Sequence, residues 1–173
     1  MKKLLLLIGS VFFFLHSNAQ GLPCSKPMYR QFDFWVGEWD VFGKSGTKVG
    51  NSKVSLLLDS CTILEEWTSA VLQNGFRYSG KSFNMYNAAT KNWQQYWVDN
   101  TGKITKYFNG HYEDGKMILQ TANEQINDTL WQIQKMTFYN LGVNKVRQHG
   151  ETSSNNGKTW VTSFDLEYRR KTY

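Results

Sequence analysis

From Phe32 to the C-terminus, short runs of aromatic and β-branched residues alternate with clusters of Gly, Asn, Asp and Ser at fairly even spacing. The turn clusters fall at 43–46, 59–60, 74–75, 87–92, 100–102, 114–115, 123–128, 140–144 and 155–157. No stretch carries a helical period, so the pattern is that of an all-β sandwich or barrel. Nine turns imply ten strands. The connections are too short for parallel crossovers, so neighbouring strands are antiparallel. Three features favour closure over two open edges: no proline follows Pro27, no strand is blunted by charge, and the first and last strands are rich in aromatics. The expected fold is therefore a ten-stranded antiparallel up-and-down β-barrel. A barrel of this strand number is wider inside than side chains easily fill, so a small-molecule cavity is expected.

Turn positions also predict register, because cross-strand partners in a hairpin share a face. With 87–92 as the loop, Tyr86 opposes Trp93, Asn84 opposes Gln95, Ser82 opposes Trp97 and Gly80 opposes Asp99. That face mixes indole rings with amides, a hydroxyl and a carboxylate, a composition suited to a pocket wall. The opposite face holds Phe83, Met85, Tyr96 and Val98 beside Lys81 and Gln94, so alternation alone leaves either face free to be the inner one. In the third strand, Cys61, Ile63, Glu65 and Trp67 share one side. A carboxylate among such neighbours holds its proton more tightly through desolvation, which is how general acids and bases arise. Glu65 and Asp99 are the candidate proton-transfer groups, although no nucleophile or metal-ligand pattern accompanies them.

Two histidines follow residue 20. The turn at Asp114-Gly115 pairs His111 with Ile118, away from the face expected to carry Phe108, Tyr112, Met117 and Leu119, and so in solvent. Across the loop 153–158, His149 is expected to oppose Thr162 on a face shared with Arg147, Trp160 and Phe164. A histidine in a barrel wall is a possible haem ligand, which makes haem through His149 an alternative to a barrel without cofactor. No conventional metal site is expected, because two histidines so placed lack thiolate or carboxylate help.

The N-terminus changes the picture of compartment. Lys2 and Lys3, an apolar run over 4–15 and the small-residue pattern Ser17-Asn18-Ala19 read as a secretory signal over 1–19. The apolar run is shorter than the ~20 residues that cross a bilayer. A strap over 20–31 then precedes a single barrel domain over 32–173. Without the signal the chain has 154 residues and a net charge of +4, scattered except for Arg169-Arg170-Lys171. Nucleic-acid binding favours a clustered basic face, so it is not expected, nor is membrane insertion after cleavage. Cys24 and Cys61 both lie in the exported part, where an even count pairs up, and one disulfide is expected.

Two motifs carry resemblances. Gly37-Glu38-Trp39, a glycine and a tryptophan one residue apart at the first strand, resembles the signature of the lipocalins and the wider calycin group. The resemblance implies that Trp39 packs at the closed end of the barrel with an arginine from a late strand against its ring, here Arg147 or Arg169. Longer stretches, "FDFWVGEWDV", "GKSFNMYNAATKNWQQYWVDNTG", "VRQHGETSSNNGKTW" and the terminal "YRR", are similar, in the same order, to a family of exported bacterial calycin-like domains with no established activity. The likeness spans the chain after the signal and implies a fold and a periplasmic or secreted location. "SSNNGKTW" also resembles the Asp-box hairpin of sialidase propellers, but a single copy with Asn155 in place of the acid reads as one hairpin.

The expectation that follows is an exported barrel holding a hydrophobic or amphipathic small molecule among Glu65, Trp67, Asn84, Gln95, Trp97, Arg147 and His149. The alternatives are an isomerase- or cyclase-like enzyme using carboxylate acid/base chemistry, a haem-binding barrel, and a module whose interior is packed solid by its own side chains.

Overall fold

The computed structural model describes residues 22–172; the stretch over 1–19 read as a secretory signal lies outside them. Eleven strands follow a short N-terminal segment: β1 (Gly37–Gly43), β2 (Lys48–Leu57), β3 (Thr62–Ser69), β4 (Ser79–Asn87), β5 (Asn92–Asp99), β6 (Ile104–Glu113), β7 (Lys116–Gln120), β8 (Glu124–Gln125), β9 (Trp131–Asn140), β10 (Lys145–Ser153) and β11 (Val161–Arg170). β8 is a two-residue ribbon beside β9, so the ring has ten members. All pairings are antiparallel, and β11 bonds to β1 with Trp39 opposite Arg170 and Val41 opposite Tyr168. The sheet thus closes on itself as an up-and-down barrel, and the expected turns are where the chain reverses.

β1 runs from the foot of the barrel towards its mouth, which places the turns after β2, β4, β6 and β9 at the foot and those after β1, β3, β5, β7 and β10 at the mouth. The segment before β1 crosses the foot. It contains a single helical turn (Pro27–Arg30) and a short 3-10 turn (Asp33–Trp35). Cys24 is bonded to Cys61, just before β3. Closing a loop of this length contributes roughly 3 to 4 kcal/mol in the chain-entropy account. Arg30 adds a hydrogen bond to the Ser60 carbonyl and an ion pair with Asp33 at 3.3 Å.

The rings of "FDFWVGEWDV" fill the foot. Phe32 stacks on Trp35 with centroids 5.0 Å apart, both rings meet Phe138, and Trp39 Nε1 donates to the Trp35 carbonyl at 2.9 Å. The arginine over Trp39 is Arg170, 4.3 Å from the ring centroid. It is neither of the two the calycin resemblance suggested: Arg147 lies over Tyr139 and Arg169 over Phe42, both on the outer wall. Gly37 makes room for Arg170, since a Cβ there would run into the guanidinium and its φ of +148° lies where side chains are strained. From this position Arg170 Nε donates to the Val143 carbonyl at 2.7 Å. The described residues include no helix long and apolar enough to cross a membrane, which leaves β-barrel spans unaddressed.

Candidate functional site

Between the foot and the mouth lies a cavity of about 290 Å³. Glu65, Trp67, Gln95, Trp97 and Asp99 line it, together with Tyr78, Tyr107, Met136, Gln148, Phe164, Leu166 and Tyr168. The β4–β5 register is the one the turn at 87–92 predicts, with Asn84 opposite Gln95 and Gly80 opposite Asp99. Closure of the ring decides that this face is the inner one. Three aromatic rings back onto the wall at glycines: Trp67 over Gly50, where a Cβ would come within 2.7 Å of the indole, Trp97 over Gly80 and Phe164 over Gly150. With no side chain beneath them the rings lie along the sheet and turn their other faces to the lumen.

Glu65 forms the floor, 2% exposed. Ser52 Oγ and Tyr168 OH donate to its Oε1 at 2.9 and 3.2 Å, and Ser82 Oγ donates to Oε2 at 3.2 Å. Ser82 in turn accepts from Asn84 Nδ2 at 3.0 Å, and Asn84 Oδ1 accepts from Gln95 Nε2 at 2.7 Å. All these partners are neutral. Burial therefore dominates and pushes the carboxyl up to about 7, against the lowering effect of the three hydroxyls. The Tyr168 hydroxyl also lies 2.7 Å from Gln148 Oε1. A phenol has one proton, so it can serve the ionised Glu65 or the amide; when Glu65 is neutral, its own proton can go to the Tyr168 oxygen while Tyr168 serves Gln148. The floor is thus wired for either charge state of the carboxyl.

Asp99, the other candidate acid, differs in its supply of donors. Tyr78 OH and Trp97 Nε1 reach Oδ2 at 3.0 and 3.3 Å, while Thr101 N, Thr101 Oγ1 and Lys103 N serve Oδ1. Desolvation pushes this carboxyl up, but those hydrogen bonds outweigh it and hold the group at about 2. A carboxylate so weakly basic and so fully engaged is a poor proton acceptor. Its geometric effect is to clamp Tyr78 and Trp97 at the cavity wall and to fasten the β5–β6 turn.

Three expected site residues stand elsewhere. Asn84 is fully buried behind Gln95 and supports the wall without lining it. Arg147 and His149 are on the outer wall. The β10–β11 turn is two residues longer than expected, with Thr152 opposite Val161, and a bulge that leaves Ser163 unpaired across from Gly150 and Glu151 adds one more step, so His149 opposes Asp165 rather than Thr162, and Phe164 alone of the expected group turns inward. The His149 imidazole makes a hydrogen bond with Thr162 Oγ1 at 3.0 Å and lies 3.8 Å from Glu151, while Arg147 makes a two-pronged pair with Asp165 at 2.7 and 2.8 Å. A haem in the lumen could not be reached by this imidazole, so the residues do not fit that cofactor. Among the described residues no group of three or more His, Cys, Asp or Glu is disposed to hold a metal ion. His111 opposes Ile118 in solvent as expected, but a second bulge, between Phe108 and His111, puts Phe108 against Tyr96 rather than beside Met117.

The alternation did not single out Ser52, Tyr78, Gln148 and Tyr168, nor the lining residues Tyr107, Met136 and Leu166. Ser82 had a visible signal, since it directly opposes Glu65 across β3–β4. Tyr168 had none, being 103 residues from Glu65 and brought there by barrel closure. No protein-family model matches this chain, and comparison with curated proteins finds no match, so the site is read from its own geometry.

Proposed function

We propose that this is an exported, calycin-like barrel that binds a small hydrophobic or amphipathic molecule in its lumen, in the periplasm or outside the cell. The observation that carries the reading is the cavity itself: about 290 Å³, mostly apolar, with a few polar groups converging at the floor. That volume sits at the lower edge of the roughly 300 to 1,000 Å³ typical of small-molecule sites, so the guest is compact. The signal-like N-terminus and the Cys24–Cys61 bond support export to an oxidising compartment. Ion pairs on the outer wall, among them Lys81–Glu66 and Lys135–Glu151, suit water rather than lipid. A crystal structure of the exported protein purified from its host tests the reading. We expect continuous non-protein density against Trp67 and Trp97; a lumen holding only water, or collapsed by side-chain movement, would refute it.

One observation favours a second reading, acid/base catalysis on an enclosed molecule. Glu65 has the protonation behaviour of a general acid or base at neutral pH and faces the cavity. On that reading Glu65→Gln would abolish turnover of the bound molecule and leave its affinity largely intact.

A further inference from the structure

Glu65 is a carboxyl group lining the floor of an apolar cavity with no basic side chain hydrogen-bonded to it. A carboxylate offers about four lone-pair positions. Two donors occupy Oε1 and one occupies Oε2, which leaves one acceptor position on Oε2 unclaimed by the protein. The charged side chains of the lining are Glu65, Asp99 and, exposed towards the mouth, Lys103. An anionic guest entering past Lys103 would meet like charge at both depths. The rings over Gly50, Gly80 and Gly150 offer π-faces, which attract cations and pack against flat apolar bodies.

We propose that the lumen takes a compact organic cation, an amine with an aromatic or apolar body, whose ammonium group meets Glu65 while its body lies against Trp67, Trp97 and Phe164. This rests on the reading of the barrel as a small-molecule binder and narrows its guest to a charge class. The ammonium supplies the hydrogen bond that Oε2 lacks and the countercharge that no neighbour provides. Desolvating a carboxylate is costly when it is unpaired and far less so when a cation is hydrogen-bonded to it. The free site therefore resists ionisation, and the bound site requires it.

That opposition fixes the sign of a pH dependence. Of the carboxyls and phenols facing the lumen, Asp99 is held at about 2, Tyr78 is raised to about 12, and Tyr107 and Tyr168 are raised by burial. Glu65 is the one among them that changes charge near neutrality. Outside the lumen, His149 and His111 are on the outer wall, and Lys53 and Lys81 flank β3 from its outer side. An amine of ordinary basicity stays protonated up to about pH 9. Cation affinity therefore rises with pH until Glu65 is ionised.

The test titrates the mature protein by calorimetry with three indole probes of similar size: tryptamine (a cation), indole-3-ethanol (neutral) and indole-3-acetate (an anion). We expect tryptamine to bind best at pH 8.5, at least about tenfold tighter than the alcohol. Its affinity should fall about thirtyfold on going to pH 5.5, as one-proton linkage through a group at about 7 requires. Glu65→Gln, checked for folding by circular dichroism, should remove both the pH dependence and the preference for the amine. The pH series on the unmodified protein keeps the test decisive if that variant misfolds. Equal or tighter binding of the alcohol or the acetate, tryptamine affinity that falls as pH rises, or no binding of any probe would overturn the cation assignment. A non-cationic molecule found in the lumen would do the same while leaving the broader binding reading intact, whereas an empty lumen would remove both.

Discussion

At the foot of the barrel, Phe32, Trp35 and Trp39 are wholly excluded from solvent and touch other rings, with one arginine laid over the last of them. Halfway up, the inner wall changes character: Ser52, Ser82, Asn84, Gln95 and Gln148 replace the rings, and an acid without a cation partner stands among them. Burying polar groups in this way needs every one hydrogen-bonded, and the chain provides those bonds at the expense of apolar packing. The foot contributes stability, while the lumen gives some up for a hollow with specific chemistry. Tyr168 joins the two, since its ring meets Trp35 and Trp39 and its hydroxyl reaches Glu65 and Gln148.

The comparison is open to attack from both sides. The largest effect is expected at the foot: Trp39→Ala should destabilise the protein by about 3 to 5 kcal/mol, the usual range for truncating a buried aromatic, as read by urea denaturation. A loss under about 1 kcal/mol would mean the plug is dispensable. The lumen should respond with the opposite sign. Glu65 has a folded value of about 7 against 4.5 for the free group, so the folded state holds its proton more tightly. Stability linked to that proton is present in full below 4.5 and is lost as pH rises through about 7. Glu65→Gln should therefore stabilise the ligand-free protein by about 3 kcal/mol at pH 8.5 and by little at pH 4. Equal melting shifts at both pH values would contradict the picture of an acid kept for function.

Smaller effects sharpen the contrast. Trp67 is partly exposed to the cavity, so Trp67→Ala should cost less than about 2 kcal/mol while abolishing ligand binding. A cost as large as that at the foot would mean that Trp67 is packed as core. Smallest of all, His149→Ala on the outer wall should change stability by no more than about 0.5 kcal/mol and leave binding untouched. A clear loss of affinity would return the imidazole to the site.

The foot was legible because its signal is local. A glycine, a bulky residue and a tryptophan in one strand, preceded by three further rings, can be read from ten consecutive positions. The β4–β5 wall was legible for a related reason: one well-marked turn fixes a whole ladder, so Asn84, Gln95, Trp97 and Asp99 fell on one face together. Glu65 and Trp67 were found from the company they keep along β3. What failed depended on departures from regular alternation. One extra residue in β11, Ser163, turns Phe164 inward and parts it from Arg147 and His149 on the outer face, and no feature of "VTSFDL" announces it. Non-local proximity was equally silent. Tyr168, Gln148 and Ser52 reach Glu65 or its network from three other strands, and only closure through β1–β11 brings the first two there. Asp99 was placed correctly, but its five donors come partly from the following turn, which converts a candidate base into a clamp.

Native mass spectrometry of the protein purified from its own host tests the central claim most directly. The account predicts a mass excess of one small organic molecule per chain, lost on denaturation and lost in Trp67→Ala despite an intact fold. A bare polypeptide mass across independent preparations and gentle desolvation conditions would contradict it.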